Sequence, residues 1–314
     1  MDPTVEEYIR DISPFINWAA ELCDPKCDEV FHSWVSGSSK TGVAKGGVWK
    51  CCGLWDAFQQ YQWPSEDPLD RKRISMFEET SLCLTSMGAQ LSARIERPAS
   101  GSVLEAVDNV LSWGGVQRYE KVASIMRNSE WSNEKRAKYL SLATRQLKNE
   151  MRNISGSASI TVGDEELPLQ IDSGTTKIFS LLVPGFIIYD SRVAAAIGLL
   201  AVRWMQATGG AEIPEPLRFS WHIGSSKVYS IRNPNRLLTS EKNVFPRAHS
   251  GDTESKLQKR LAENIKASWL CDELLRVAVE KFPSSGFATL DKNIRARALE
   301  SALFMIGYSI FQEI

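Results

Sequence analysis

Asp172-Ser173-Gly174-Thr175-Thr176-Lys177, followed by Ile188-Tyr189-Asp190-Ser191-Arg192-Val193, is the stretch on which the fold reading turns. A Gly-centred turn opens an apolar helix, Pro184-Gly185 ends it, and Asp190 starts a second, nearly continuous apolar helix reaching about residue 207. The pattern predicts a short helical hairpin with a lysine on its first helix and a carboxylate where the second begins. Read locally, Ser173 or Thr175 caps the first helix, Asp190 caps the second, and Lys177 is a solvated first-turn residue. Two features point instead to a ligand. A lysine in the first turn opposes the helix dipole, a conflict that a bound phosphate would remove. Gly174 would let the backbone approach a phosphate closely and present N–H groups to it.

Outward from the hairpin the chain reads as mainly α. Apolar residues at helical spacing from Pro3 to Cys23 (Val5, Tyr8, Ile9, Ile12, Phe15, Ile16, Ala19, Leu22) predict an amphipathic helix. Residues 33–50, rich in Gly, Ser and Lys, read as a loop. Periodicity returns from Pro68 to Ile95, and a helix from Ser102 to Trp113 stops at Gly114-Gly115. Helices are expected at 116–128 and 132–153. The best strand is Ala158-Ser159-Ile160-Thr161-Val162, a small β hairpin or irregular insert. Residues 208–250 read as loop with one short helix near Pro214–Trp221, and two long helices, near 252–282 and 290–310, close the chain. No internal repeat is present. The expected organisation is an N-terminal helical region (1–100), a hairpin core with a basic loop (101–250) and C-terminal helices (251–314).

The 314 residues are 43% hydrophobic and 24% charged with a formal net charge of −1. That balance suits a soluble globular protein and gives no global argument for a polyanion partner. The local argument is stronger. Residues 223–247 hold Lys227, Arg232, Arg236, Lys242 and Arg247 against Glu241 alone. The six cysteines (23, 27, 51, 52, 83 and 271) do not space like a secreted disulfide framework. With no membrane span and no basic-then-apolar leader in view, the expectation is a reduced, cytoplasmic protein.

Other signals are weaker. Gly37-Ser-Ser-Lys-Thr-Gly42 has the glycine spacing of a phosphate loop, but Val43-Ala44 stand where Lys and Ser/Thr are required, so it reads as surface loop. Cys23, Cys27, His32, Cys51 and Cys52 are soft ligands, yet Cys23 falls on the buried helix face and adjacent cysteines rarely ligate one ion, so no metal is expected. His32, His222 and His249 lie in no nucleophile-elbow context, which leaves a hydrolase triad without support.

Lys177, the helix after it, the turn and Asp190-Ser191-Arg192-Val193 resemble the helix-hairpin-helix DNA glycosylase superfamily, in which an Asp opens the second helix in an Asp-x-His/Asn-Val context. Asp190 and Val193 match that pattern, and Arg192 replaces the His or Asn. The usual Leu-Pro-Gly-Val-Gly turn is reduced here to Asp172-Ser173-Gly174-Thr175-Thr176. The wording Gly-Thr-Thr-Lys…Ile-Tyr-Asp-Ser-Arg-Val-Ala looks closer to a divergent bacterial and phage branch linked to hypermodified pyrimidines, which includes anti-phage glycosylases that remove glucosylated hydroxymethylcytosine.

The resemblance covers roughly 35 residues and extends more loosely to Trp113-Gly114-Gly115 and Arg232-Asn233-Pro234. It implies a two-lobed helical fold with a possible small β insert. It also implies a cofactor-free bacterial enzyme that binds double-stranded DNA, flips out a modified base and leaves an abasic site. Asp190 would be the catalytic carboxylate. Lys177 would be the second catalytic candidate, but it lies only 13 residues before Asp190, closer than in members that use a catalytic lysine, which favours monofunctional chemistry over a lyase role. Gly174, Thr175, Thr176, Arg192, Arg232, Asn233 and Arg236 would contact DNA. Trp113, Tyr189, Trp204 and Trp221 are candidate pocket walls. The alternatives are a non-catalytic helical nucleic-acid-binding module, a helical scaffold, or an enzyme that processes a hypermodified base or nucleotide.

Overall fold

The computed structural model describes residues 3–37, 42–116, 123–221, 231–239, 244–248 and 253–311. Among them the chain is mainly helical. The helices are α1 (Val5–Glu21), α2 (Leu54–Gln59), α3 (Phe77–Glu96), α4 (Val103–Trp113), α5 (Asn133–Glu150), α6 (Thr175–Leu182), α7 (Ser191–Thr208), α8 (Glu254–Lys281) and α9 (Lys292–Ile306). Three antiparallel two-stranded ribbons accompany them: β1 (His32–Val35) with β2 (Val48–Cys51), β3 (Ser65–Glu66) with β4 (Arg73–Ile74), and β5 (Ser159–Val162) with β6 (Glu165–Pro168).

The chain divides into two compact units that interleave in sequence. One comprises residues 1–4, 65–188 and 250–266; the other comprises 5–64, 189–249 and 267–314. Each draws on all three of the expected sequence segments.

In the first unit α3, α4, α5 and α6 enclose Met87, Leu91, Val107, Leu111, Leu140, Leu147, Ile178 and Phe179, all buried. Capping explains where two of these helices begin. The Ser102 hydroxyl accepts the Glu105 N–H, and the Ser132 hydroxyl accepts the Lys135 N–H. The expected β insert is a hairpin, with Val162 paired to Glu165 across a turn that Gly163 enters at φ +64. Tyr139 ties it to α5 by donating to the Pro168 carbonyl and accepting the Gln170 N–H. The helix expected at 116–128 is a 3-10 turn at Ser124–Arg127, and residues 117–122 lie outside the described residues.

The second unit is built around α7, whose residues Val193–Val202 are all buried. A helix buried on every side needs small residues where neighbours cross. Gly198 provides one such place: a methyl group there would come within 2.8 Å of Pro234 Cβ. The expected loop at 33–50 is instead the ribbon β1–β2. Its inward residues Trp34 and Trp49 pair across the strands and stack at 5.3 Å. Trp34 donates its indole N–H to the Met305 carbonyl. The expected helix near Pro214–Trp221 is one 3-10 turn, Glu215–Leu217. No helix among the described residues is long and apolar enough to cross a membrane.

Candidate active site

The first-unit half of the hairpin is closed on itself. Asp172, one residue before Ser173 and three before Thr175, the expected caps, holds the start of α6. Its Oδ1 accepts the N–H groups of Gly174 (2.8 Å) and Thr175 (2.9 Å). Its carbonyl accepts the Thr176 N–H, and its own N–H goes to the Thr175 hydroxyl. Its Oδ2 accepts the Ala123 N–H and the Gln170 side-chain amide. Thr175 therefore serves the cap as an acceptor, and Ser173 does not cap. Gly174 has φ −87, which any residue adopts, and its N–H is already taken by a carboxylate. Thr175 and Thr176 are buried, and the Thr176 hydroxyl has no partner among the described residues.

Lys177 is not solvated: it is 6% exposed. Its Nζ donates to the Ser173 carbonyl at 2.7 Å, and its stem lies across Gly114 at the end of α4. The conflict between its charge and the helix dipole is relieved by turning the ammonium back to that carbonyl.

In the second unit, Asp190 caps α7 as expected, its Oδ1 accepting the N–H groups of Arg192 (2.9 Å) and Val193 (3.2 Å). Around it stands a group of cations and rings. The Arg192 guanidinium carbon lies 3.9 Å from the Trp63 ring centre, 4.0 Å from Phe304 and 5.5 Å from Tyr308. Its Nη1 is sealed from solvent and has no hydrogen-bond partner among the described residues, although the residue as a whole keeps some exposure. Arg232 is buried, its guanidinium carbon 6.0 Å from the Tyr308 ring centre. It donates from Nε to the Tyr308 carbonyl and from Nη1 to the Ser191 hydroxyl.

Burial, and after it the neighbouring Arg232, pulls the Arg192 guanidinium down to about 9, while Asp190 acts in the opposite direction. Burial also lowers Arg232, and attraction to Asp190 is the largest opposing influence. Two guanidinium groups thus share the field of one nearby carboxylate.

The other expected site residues have mostly structural surroundings. Tyr189 is buried and donates its hydroxyl to the Ser220 carbonyl. Trp221 is buried, its backbone linked to Pro246 and Ala248. Trp204 meets Phe15 edge-on at 5.9 Å. Trp113 is half-buried at the end of α4, with an indole N–H that lacks a partner among the described residues. Asn233 caps a 3-10 turn by accepting the Asn235 N–H. Arg236 is exposed, its guanidinium 3.8 Å from the Phe311 ring centre. Lys227, Glu241, Lys242, His222 and His249 lie outside the described residues.

Sequence reasoning therefore finds Asp190, Arg192 and Arg232 together, but misses the half-buried Trp63, Phe304 and Tyr308 beside them. Asp190 and Lys177 fall in different units. Among the described residues no group of three or more His, Cys, Asp or Glu is arranged to hold a metal. Comparison with known proteins yields no match to a family model, to a curated protein or to a solved structure.

Proposed function

We propose that this protein is a helix-hairpin-helix DNA glycosylase. It hydrolyses the N-glycosidic bond of a modified pyrimidine in double-stranded DNA, with glucosylated hydroxymethylcytosine of phage DNA as the leading candidate and anti-phage defence as the role. The observation that carries this reading is the carboxylate of Asp190, fixed by two backbone N–H groups at the start of α7 with two arginines nearby.

The chemistry follows from charge. As the base leaves with the bonding electron pair, positive charge grows at the sugar C1′. A carboxylate held at that carbon stabilises the cation and takes a proton from the water that adds there, while the departing base is protonated in turn. Because the donors that fix Asp190 are backbone groups, the carboxylate needs little reorganisation as charge develops. The base reaches such a site only after leaving the stack.

Lys177 has a structural part in this scheme. Its ammonium is bound to a carbonyl and its stem is packed on Gly114, which suits a monofunctional hydrolase rather than a lyase. The N–H groups of Gly174 and Thr175 serve Asp172, so the grip on DNA phosphates falls to side chains.

The test is an abasic-site assay on glucosylated, hydroxymethylated and unmodified DNA of one sequence. Excision from modified DNA by the native protein, lost in Asp190→Asn, is the expected result. Salt-dependent DNA binding with no excision from any substrate would replace this reading with the non-catalytic binding module.

A further inference from the structure

We infer that Arg192 and Arg232 form a phosphate site and that its ligand is a phosphodiester of the nucleic-acid chain; the choice of nucleic acid over free phosphate rests on the glycosylase reading above.

The argument begins with an unusual placement of charge. Arg192 projects from the first turn of α7, where a cation opposes the helix dipole. It is wedged among Trp63, Phe304 and Tyr308, with Nη1 closed off and unbonded among the described residues. An unbonded, buried donor on a charged group is costly, and apolar side chains of similar volume would pack there without that cost. Arg232, 6.0 Å from the Tyr308 ring centre, gives its hydrogen bonds among the described residues to neutral oxygens, the Ser191 hydroxyl and the Tyr308 carbonyl. Neither guanidinium makes an ion pair among the described residues, and Asp190 is the carboxylate whose field reaches both.

Among the described residues, two cations beside one carboxylate leave a net positive charge in a poorly solvated place. An anion with several acceptor oxygens answers each defect at once. It balances the charge, accepts from Nη1 and suits the planar fork of arginine. The rings are packed against Arg192 and against other rings, Trp63 edge-on to Phe304 at 4.9 Å and Tyr308 4.4 Å from Trp34, so the choice of a nucleotide phosphate over a bare ion rests on the glycosylase reading. Stacking also holds the Arg192 fork in place before any ligand arrives, which lowers the entropy lost on binding.

The carboxylate gives the site a signature that excision does not share. Asp190 repels an incoming phosphate, so Asp190→Asn, which keeps a good helix cap, should tighten phosphate binding while abolishing chemistry. The experiment measures binding of a fluorescent single-stranded oligothymidylate to the full chain at low salt by anisotropy. Inorganic phosphate and thermal unfolding are followed in parallel.

The expected results are binding by the native protein, a loss of about tenfold or more in Arg192→Gln, partial recovery in Arg192→Lys, and a gain of about fivefold in Asp190→Asn. If Arg192→Gln fails to fold, Arg192→Lys against native protein reads the same contact, because lysine keeps the charge and loses the fork. Oligonucleotide binding that is absent, indifferent to both Arg192 variants, or weakened by Asp190→Asn overturns the proposal. Saturable binding of inorganic phosphate without oligonucleotide binding overturns the choice of ligand. None of these readouts involves excision, so the phosphate site and the glycosylase reading fail separately.

Discussion

The stem of Lys177 lies directly over Gly114, where an added methyl group would come within 2.4 Å of its Cδ. The end of α4 and the first turn of α6 are thus fitted to one another through the absence of a side chain. Gly114 does not owe its identity to backbone conformation, since its φ is −74. The lysine is buried because glycine leaves it a channel. Gly114→Ala is therefore expected to cost about 1–3 kcal/mol by overpacking, read as a lowered urea midpoint with an unchanged m-value.

Asp172 organises the same region from the other side. One carboxylate accepts from Gly174, Thr175, Ala123 and the Gln170 amide. Asp172→Ala removes the cap and leaves several part-buried donors unbonded, an expected loss of about 3 kcal/mol. Ser173→Ala, at the position read from sequence as a possible cap, should stay within about 0.5 kcal/mol in the same denaturation experiment.

Much of this was legible in the chain and some was not. The start of α4 at Ser102, its end at Gly114, and the opening of α7 at Asp190 follow from capping chemistry that acts over three or four residues. Strand β5 was readable from Ile160 and Val162, whereas its partner β6, Glu-Glu-Leu-Pro, carries no strand signal of its own. The ribbon β1–β2 was hidden. Its glycines, serines and lysines describe the connection, while its inward face is two tryptophans whose burial depends on Met305 and Tyr308, far along the chain. The cap of α6 was misplaced because Asp172 reaches forward over Ser173. Trp63 could not be tied to Arg192 for the same reason as the ribbon: nothing within reach of either residue in sequence signals the other.

His32 makes one pH-dependent contribution to the stability of the second unit. It is buried, its Nε2–H donates to the Ser309 carbonyl at 2.8 Å, and burial pulls its pKa from 6.5 down to about 4. The unfolded chain therefore binds a proton that the folded one refuses between those values. The stabilisation from neutral His32 is complete above about pH 6.5 and is lost as pH falls towards 4, about 3 kcal/mol in all. Urea midpoints measured from pH 7 to pH 4 should fall on this account, and the part of that fall due to His32 should vanish in His32→Gln.

Gly307 sets the floor of the arginine site. A methyl group at this position would lie 1.8 Å from the Arg192 carbonyl oxygen, a clash with backbone that no rotamer change relieves. Gly307→Ala is expected to destabilise the protein by about 3 kcal/mol, the upper part of the overpacking range, and to disturb the emission of Trp63. Gly209→Ala, open around its α-carbon but at φ +67, should cost about 1 kcal/mol through strain at the end of α7. Thermal unfolding of the two variants side by side distinguishes a backbone collision from a local conformational penalty.

The central claim is that Asp190 breaks a glycosidic bond, and single-turnover excision from glucosylated hydroxymethylcytosine DNA addresses it most directly. Native protein in excess over DNA should convert the modified sites to abasic sites. Asp190→Asn, folded and still binding the oligonucleotide, should do so at least about a hundredfold more slowly. Equal rates for the two proteins, or intact DNA after incubation with the native one, would contradict the account.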